Sequence, residues 1–247
     1  MIIVLAIDAL EYNLVIEFNC NNLKQKFYGK TNITEFSEPR TMVLWSSLMS
    51  GRNMENEIIS KGDKEMWNTQ INLGDTFFKS FKNPKIIDLP GFNYYKEQHK
   101  MERIMLKKYF DTQDETEKKE IKIEYNNHAF EHHRKVKREF IEALNGPYDF
   151  VLGYFSIADV IGHLNFGNRT MMKMIYRDLD EIASGIKGNF IVLSDHGMEK
   201  VGIFGDHSNY GFWSTGFKDL DNPKITDFAD IIKEIKEGRT WKKNMEQ

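Results

Sequence analysis

The sequence has little of what marks several classes of protein. Cys20 is the single cysteine in 247 residues, so no disulfide can form within the chain, which fits a reducing compartment. Proline is scarce, with 5 residues, and no internal repeat or low-complexity tract is present. The net charge of -3 at pH 7 provides no excess of basic residues, so nucleic acid is not an expected partner.

Long apolar segments are missing too. The apolar start of the chain, residues 1–10, contains Asp8, is followed by Glu11 and has no basic residue ahead of it. It is too short to cross a bilayer and lacks the basic region of a signal peptide. We therefore expect a cytoplasmic protein that does not interact with a membrane.

Apolar runs of strand length are present, and they indicate the fold class. Residues 2–7, 148–155 and 189–193 are mostly apolar, which is typical of strands buried on both faces of a parallel sheet. Residues 9–18, 168–186 and 226–235 carry apolar side chains at helical spacing. This alternation predicts an α/β fold with a mostly parallel central sheet.

The length and the 40% hydrophobic content fit one domain over residues 1–247. Residues 96–145 differ from the rest because Glu, Lys and Arg dominate there, with apolar residues at helical spacing. This pattern predicts two or three amphipathic helices. We assign approximately residues 92–145 to a small helical insertion, or cap, within the core.

Acidic and histidine side chains follow three of the predicted strands, at the point where each strand ends. They are Asp8 after the first strand, Asp159 and His163 after the second, and Asp195 and His196 after the third. Ligands of open α/β sheets bind outside the carboxyl ends of the strands, so we expect these side chains to converge. Aspartate oxygens and histidine nitrogens are both zinc ligands. Taken singly, each residue is equally well explained as part of a turn or helix cap.

Thr41 and His207 extend this set. Thr41 begins a helix predicted to end at Gly51, and His207 lies in a segment, residues 205–214, that its glycines predict to be a loop. A threonine at a helix start has its hydroxyl among free N–H groups, a place that favours anions. Thr41 is therefore either an ordinary cap or a nucleophile that attacks phosphorus. Six N and O ligands with one hydroxyl suit two metal ions and in-line displacement at phosphorus.

The order of these residues resembles the alkaline phosphatase superfamily, and most closely its type I phosphodiesterase/nucleotide pyrophosphatase branch. The matching motifs are Ile7-Asp8-Ala9-Leu10, Thr41 with Trp45 and Ser50-Gly51, Asp159-x-x-Gly162-His163, Ser194-Asp195-His196-Gly197-Met198 and Asp206-His207. The resemblance covers most of the core and leaves out residues 92–145. It implies an alkaline-phosphatase-like three-layer sandwich and a metal-dependent phosphoric ester hydrolase.

The resemblance also implies a role for each residue of the set. One metal would be bound by Asp8, Asp195 and His196 with Thr41 as a further ligand, and the other by Asp159, His163 and His207. Thr41 would attack phosphorus in line and form a phosphothreonine, which water hydrolyses with the help of the second metal. Aspartate and histidine ligands favour two zinc ions, with manganese as the alternative. The implied partner is a small phosphoester, with nucleotides among the candidates, and the sequence does not specify an oligomeric state.

Two departures from the family bear on the substrate. Residues 52–57 replace the Pro and His-Gly that often follow Thr-Gly in the family, and the chain is short for the superfamily. We therefore expect the metal ligands to be retained and the substrate loops to differ. A sulfatase would need Cys or Ser at position 41, and a cofactor-independent phosphoglycerate mutase would need a serine and a large second domain. Phosphomonoesterase, phosphonate hydrolase and a non-catalytic metal- or nucleotide-binding relative remain as alternatives.

One further pattern lies inside the charged segment. His128-Ala129-Phe130-Glu131-His132 matches the inverted zinc-protease signature His-x-x-Glu-His. Because charged residues crowd this helix, we expect the motif to lie on a solvated face. The aromatic residues Trp45, Phe92, Tyr94 and Tyr95 are candidates for stacking on a base, and packing is the alternative for each.

Overall fold

The computed structural model describes residues 1–238 and contains a six-stranded sheet and a separate two-stranded hairpin. The strands are β1 (Ile2–Ile7), β2 (Phe27–Asn32), β3 (Pro84–Ile87), β4 (Phe150–Phe155), β5 (Phe190–Leu193), β6 (Met198–Val201), β7 (Phe204–His207) and β8 (Tyr210–Thr215). The α-helices are α1 (Tyr12–Glu17), α2 (Asn21–Lys24), α3 (Thr41–Ser50), α4 (Glu55–Ile59), α5 (Gly62–Glu65), α6 (Lys96–Asp111), α7 (Glu115–Leu144), α8 (Ile157–Asn165), α9 (Arg169–Ser184) and α10 (Phe228–Lys236). Single 3-10 turns occupy Met66–Asn68, Leu73–Asp75, Phe77–Ser80 and Ile225–Asp227.

The sheet has the strand order β2-β8-β5-β1-β4-β3. Strand β1 is central and runs parallel to both β4 and β5, and β3 runs parallel to β4. Only β8 is antiparallel to its neighbours β5 and β2. Ile7 pairs with Phe155 at the end of β4, and Ala6 pairs with Leu193 at the end of β5. The register therefore brings the carboxyl ends of three strands to the same place.

Helices cover both faces of this sheet, as the apolar character of β1 predicts. Ile3, Leu5 and Ile7 point into one core cluster with α1, α7, α8 and α9, while Val4 and Ala6 point into a second with α3 and α10. Side chains of a strand alternate between faces, so a strand that is apolar at every position must be covered twice. The predicted three-layer α/β fold with a mostly parallel sheet is confirmed.

Several element boundaries differ from the sequence-based expectation. The first helix begins at Tyr12 and not at Ala9, because Ala9 has a positive φ of 53° and Glu11 provides the cap. Thr41 is the first helical residue of α3 and Arg40 is its N-cap. The last α-helix begins at Phe228, after a 3-10 turn that contains Thr226.

The charged segment forms the long helices α6 and α7 between β3 and β4. Helix α7 packs on β4 and buries Tyr125, Val136 and Phe140 in the core. Its charged residues face outward, which explains why the sequence pattern looked so polar. Within residues 1–238, no helix is long and apolar enough to cross a membrane.

The segment predicted to be a loop at residues 205–214 contains most of β7 and β8, so that prediction was wrong. Its glycines permit close packing instead of marking turns. A Cβ atom on Gly211 would lie 2.1 Å from the backbone oxygen of Ser194 and 2.9 Å from that of Asp195. Gly211 therefore allows β8 to approach the loop that follows β5.

We predict that Gly211→Ala destabilises the protein by about 1–3 kcal/mol, the usual cost of overpacking, because two backbone oxygens would have to move. Urea unfolding measures this loss as a lower transition midpoint. Gly74→Ala is the matched control, since a Cβ there would meet nothing within 4 Å in the described part of the chain. Equal midpoints for the two variants would contradict the close approach.

Candidate metal centre

Asp8, Asp195 and His196 meet at the carboxyl ends of β1 and β5, and we call them the first centre. His196 Nε2 lies 3.3 Å from Asp8 Oδ1 and 3.4 Å from Asp195 Oδ2. All three side chains are buried. Thr41, at the start of α3, places its Oγ1 3.3 Å from the same nitrogen. The hydroxyl therefore stands at the edge of the first centre.

Asp159, His163 and His207 form the second centre. Asp159 and His163 are four residues apart on α8, which puts them on one helix face, and His207 ends β7. Asp159 Oδ1 lies 3.2 Å from His163 Nε2 and 3.3 Å from His207 Nε2. The rings of His196 and His207 stack with centroids 3.9 Å apart, so the two centres are adjacent. The structure thus brings all seven predicted site residues together.

The three histidines of these centres share one orientation. Each places Nδ1 against a backbone carbonyl oxygen, at 3.0 Å for His196 to Gly197, 3.3 Å for His163 to Gly205 and 2.9 Å for His207 to Pro39. An Nδ1–H that donates to a carbonyl leaves Nε2 deprotonated and free to bind a metal. This second hydrogen bond is typical of metal-ligating histidines.

Unpaired polar atoms show where ions would fit. Within residues 1–238, several buried ligand atoms have no hydrogen-bond partner: Asp8 Oδ1, Asp159 Oδ1, both Asp195 carboxylate oxygens and His207 Nε2. Burying such groups without partners is costly. Ligands placed tetrahedrally about 2.0–2.1 Å from zinc lie roughly 3.3–3.4 Å from one another, close to the separations observed in both centres. The residues therefore fit a cation at each centre.

The pKa shifts in the first centre also indicate that its residues suit a cation. Burial, with repulsion from Asp195 and Asp159, holds the pKa of Asp8 well above its ordinary value. Burial raises the pKa of Asp195 to about 7. Burial also lowers the pKa of His196 to about 3, so its imidazole is neutral at pH 7. Carboxylates crowded in this way need positive charge to stay ionised, and a neutral imidazole can serve as a metal ligand.

In the second centre, the histidines supply that positive charge. Burial alone would lower the pKa of His207, but the carboxylate of Asp159, 3.3 Å from its Nε2, raises it to about 9. The pKa of Asp159 is well below its ordinary value because His163 and His207 outweigh the effect of burial. A metal ion binding here must therefore displace a proton from His207.

Three residues support the centres without being ligand candidates, and sequence reasoning gave none of them a role. Ser194 Oγ accepts a hydrogen bond from Leu10 N at 2.9 Å and donates one to His196 O at 2.6 Å. Tyr154 donates its hydroxyl to Asp8 Oδ2. Glu11 accepts from Met198 N at 3.1 Å. Each joins the end of one strand to that of another, so its role depends on strand register, which the sequence does not display.

The pocket beside the centres has a volume of about 140 Å³ and is lined by Thr41, Asp8, Asp159, His163 and His207. Its lining also includes Trp67, Tyr94 and Arg103, which we call the outer wall. The guanidinium of Arg103 lies 4.1 Å from the centre of the Trp67 ring, and the Trp67 and Tyr94 rings are stacked at 6.4 Å.

The candidates for base stacking differ in whether they line the pocket. Tyr94 lines the pocket, whereas Trp45 is fully buried against Tyr154 in the core and does not reach it. Phe92 packs against Phe78, and Tyr95 donates its hydroxyl to Glu139. Packing is therefore the role of Trp45, although the sequence allowed either interpretation.

The prediction of a solvated face for the His-x-x-Glu-His motif was wrong for His132. Glu131 is exposed, but His132 is only 3% exposed and contacts Asp88 and Glu102. Asp88, His99 and His132 form a third group of potential ligands. Sequence reasoning missed it because Asp88 follows a short strand and both histidines lie on charge-rich helices.

Comparison with known proteins adds little. No family profile matches the chain, and no curated protein matches it. Among solved structures, murine ectonucleotide pyrophosphatase/phosphodiesterase 5 matches 81% of this chain at 13% identity, with a TM-score of 0.43. This chain spans 58% of the length of that structure. A similarity this distant carries no argument about activity, which rests on the site itself.

We predict that His207→Ala loses the metal of the second centre, lowering bound zinc from about two ions per chain to about one, because one of three protein ligands is gone. Inductively coupled plasma mass spectrometry, carried out after zinc loading and gel filtration, measures the zinc content per chain. His133→Ala is the control, since His133 is also buried but pairs with Asp178 at 2.6 Å. Unchanged zinc in His207→Ala would remove His207 from the ligand set.

Proposed function

We propose that the protein hydrolyses phosphoric esters, with Thr41 as the nucleophile and divalent metal ions, zinc or manganese, at the first and second centres. The observation that carries the proposal is the position of Thr41 Oγ1, 3.3 Å from His196 Nε2, in a pocket that Asp159 and His207 also line. A hydroxyl beside two groups of metal ligands is placed to attack an ester bound between them.

The start of α3 supports binding of the phosphoryl group. The first N–H groups of a helix lack partners within it and favour anions. The guanidinium of Arg40, the N-cap residue, turns away to Glu38 and Asp63, at 2.6 and 2.7 Å. Thr41, the first helical residue of α3, lines the pocket, so this helix end is within reach of the substrate anion.

The chain holds the threonine rigidly. Thr41 is 7% exposed, and the α3 residues that follow it are buried in the core. His207 Nδ1 donates to Pro39 O, which ties a ligand of the second centre to the segment just before Thr41. When bound, the two cations would lower the pKa of a ligated hydroxyl and offset the negative charge of the phosphoryl group.

The outer wall favours esters that carry a second substituent. Trp67 and Tyr94 offer aromatic faces and Arg103 a positive charge in the lining of the pocket. Together they suit an aromatic or anionic group beyond the phosphorus. We therefore place phosphodiesters and nucleotide pyrophosphates first among substrates. Arg103 also leaves a phosphomonoesterase as the second candidate, because a monoester carries one more negative charge for it to meet.

The test compares bis-p-nitrophenyl phosphate, p-nitrophenyl phosphate and p-nitrophenyl phenylphosphonate, each with zinc or manganese. We expect the diester to be cleaved fastest. We expect Thr41→Val, which keeps the shape and removes the hydroxyl, to lower kcat by at least about 10³-fold, as loss of a nucleophile does elsewhere.

Thr41→Ser is the matched control, because it keeps the hydroxyl and is expected to retain measurable turnover. Metal content is measured in both variants and is expected to stay near the wild-type value, since the Asp and His ligands remain. Faster cleavage of the monoester or phosphonate would favour those alternatives. No cleavage by a fully metal-loaded protein would favour a non-catalytic role.

A further inference from the structure

The third group of Asp and His residues, together with Glu102, forms a closed ring of contacts, which we call the buried ring. His99 and His132 each direct Nε2 to Asp88 Oδ2, at 2.9 and 2.7 Å. Each also directs Nδ1 to Glu102, at 3.0 and 2.9 Å. The four side chains are at most 4% exposed. They belong to the end of β3, helix α6 and helix α7.

Counting protons shows what the ring requires. Four N···O contacts of hydrogen-bond length need four protons, but two neutral imidazoles facing two ionised carboxylates supply only two. With neutral rings, two nitrogen lone pairs would face carboxylate oxygens in a site without solvent. Two doubly protonated imidazoles provide all four donors, and their charges balance those of Asp88 and Glu102.

The ring differs from the first and second centres in two respects. Its N···O separations are 2.7–3.0 Å, whereas those of the centres are 3.2–3.4 Å. None of its nitrogen or carboxylate oxygen atoms is among the buried unpartnered atoms of residues 1–238, whereas both centres contribute several. Three hydrogen bonds and one ion pair therefore satisfy the ring, and ligand atoms around a cation would have to stand further apart.

The ring also holds part of the pocket. Asp88 accepts a hydrogen bond from Tyr95 N at 2.8 Å, which fixes the start of α6. The Tyr94 ring lies flat on the His99 ring, with centroids 4.0 Å apart and planes 13° apart. Arg103, next to Glu102 in the chain, directs its guanidinium toward the Tyr94 hydroxyl at 3.5 Å. His99 and Glu102 themselves line the pocket.

We propose that Asp88, His99, Glu102 and His132 form a metal-free ring of two imidazolium and two carboxylate groups that positions Tyr94 and Arg103 to bind the substituent beyond the phosphorus. The charge state stands on the contacts of the ring alone, and the effect on substrate binding rests on the function proposed above. The four residues are assigned a positioning role, because the ring acts on the substituent through Tyr94, which stacks on His99, and Arg103, which follows Glu102 in the chain.

The acid–base properties of the ring agree with this assignment. Burial alone would lower the pKa of His132, but hydrogen bonds to Asp88 and Glu102 raise it to about 9. The same contacts outweigh burial at Glu102 and lower its pKa to about 2. The pKa of His99 is raised, and that of Asp88 lowered, for the corresponding reasons.

Nitrogen NMR of protein labelled at histidine tests the charge state directly, without any need for activity. At pH 7.5, we expect His99 and His132 each to show two protonated ring nitrogens, before and after saturation with zinc. Signals of the histidines in the two centres are expected to change on zinc addition. Loss of the Nε2 protons of His99 and His132 on zinc binding would show a third metal site and overturn the proposal.

Kinetics test the positioning role, with His132→Gln as the variant and His133→Gln as its control. His133 is the neighbouring buried histidine of α7, paired with Asp178 outside the ring. We expect His132→Gln to raise the KM for bis-p-nitrophenyl phosphate by at least about tenfold, the equivalent of one lost charge-assisted hydrogen bond. We expect little change in KM for methyl p-nitrophenyl phosphate, which lacks the second aromatic group, and little change in kcat for either ester.

A double variant keeps the test informative if His132→Gln alone does not fold. Glu102→Gln combined with His132→Gln removes one charge of each sign, so the remaining pair stays neutral and we expect the chain to fold. A KM that rises equally for both esters, or equally in His133→Gln, would overturn the positioning role. If wild-type protein cleaves neither ester, the proposed function fails, and the NMR result still decides the charge state of the ring.

Discussion

Crowding of buried carboxylates is the constraint on which the rest of the site depends. Asp8, Asp159 and Asp195 lie together at the carboxyl edge of a parallel sheet. Asp8 and Asp195 are buried, the Asp159 side chain is 14% exposed, and each has an oxygen without a hydrogen-bond partner in residues 1–238. An unpaired buried charge destabilises the folded state by several kcal/mol, which exceeds the stabilisation from most single interactions. A fold that keeps them must obtain positive charge there, and the inward-facing histidine nitrogens show where cations would complete the arrangement.

The sheet makes this crowding possible. Parallel pairing of β1 with β4 and β5 brings three strand ends into register, and the loop after each carries ligands. Gly211 lets β8 press against the loop of Asp195, while Ser194 joins that loop to the segment after β1. The apolar core thus fixes the spacing of polar groups that would repel one another if they were free to move.

The fold class and the ligand candidates Asp8, Asp159, His163, Asp195 and His196 were predictable from a local pattern, whereas the role of His207 followed only from the family resemblance. An apolar run followed by Asp or His reveals both a buried strand and its chemically useful end. Glu11, Tyr154 and Ser194 could not be predicted, because each acts on a residue far away in the sequence. The glycines of residues 205–214 predict a loop because glycine is typical of turns and of close packing alike, and only the neighbouring strand distinguishes the two.

The histidines show why residue type alone is insufficient to identify a candidate metal ligand. His163, His196 and His207 each turn Nδ1 to a backbone carbonyl and leave Nε2 directed at an unsatisfied carboxylate. His99 and His132 have carboxylates at both nitrogens and are saturated by hydrogen bonds. The same pair of residue types, Asp and His, thus builds two groups that could hold cations and, separately, the buried ring. The two arrangements differ in the partner of Nδ1, which is a backbone carbonyl oxygen in the two centres and the Glu102 carboxylate in the buried ring.

Anomalous diffraction at the zinc edge, from crystals grown with zinc, tests the central claim most directly because it locates each ion independently of any assay. The account predicts one peak among Asp8, Asp195 and His196 beside the Thr41 hydroxyl, and a second among Asp159, His163 and His207. Zinc absent from both positions at saturating concentration, or bound only at surface residues, would contradict it.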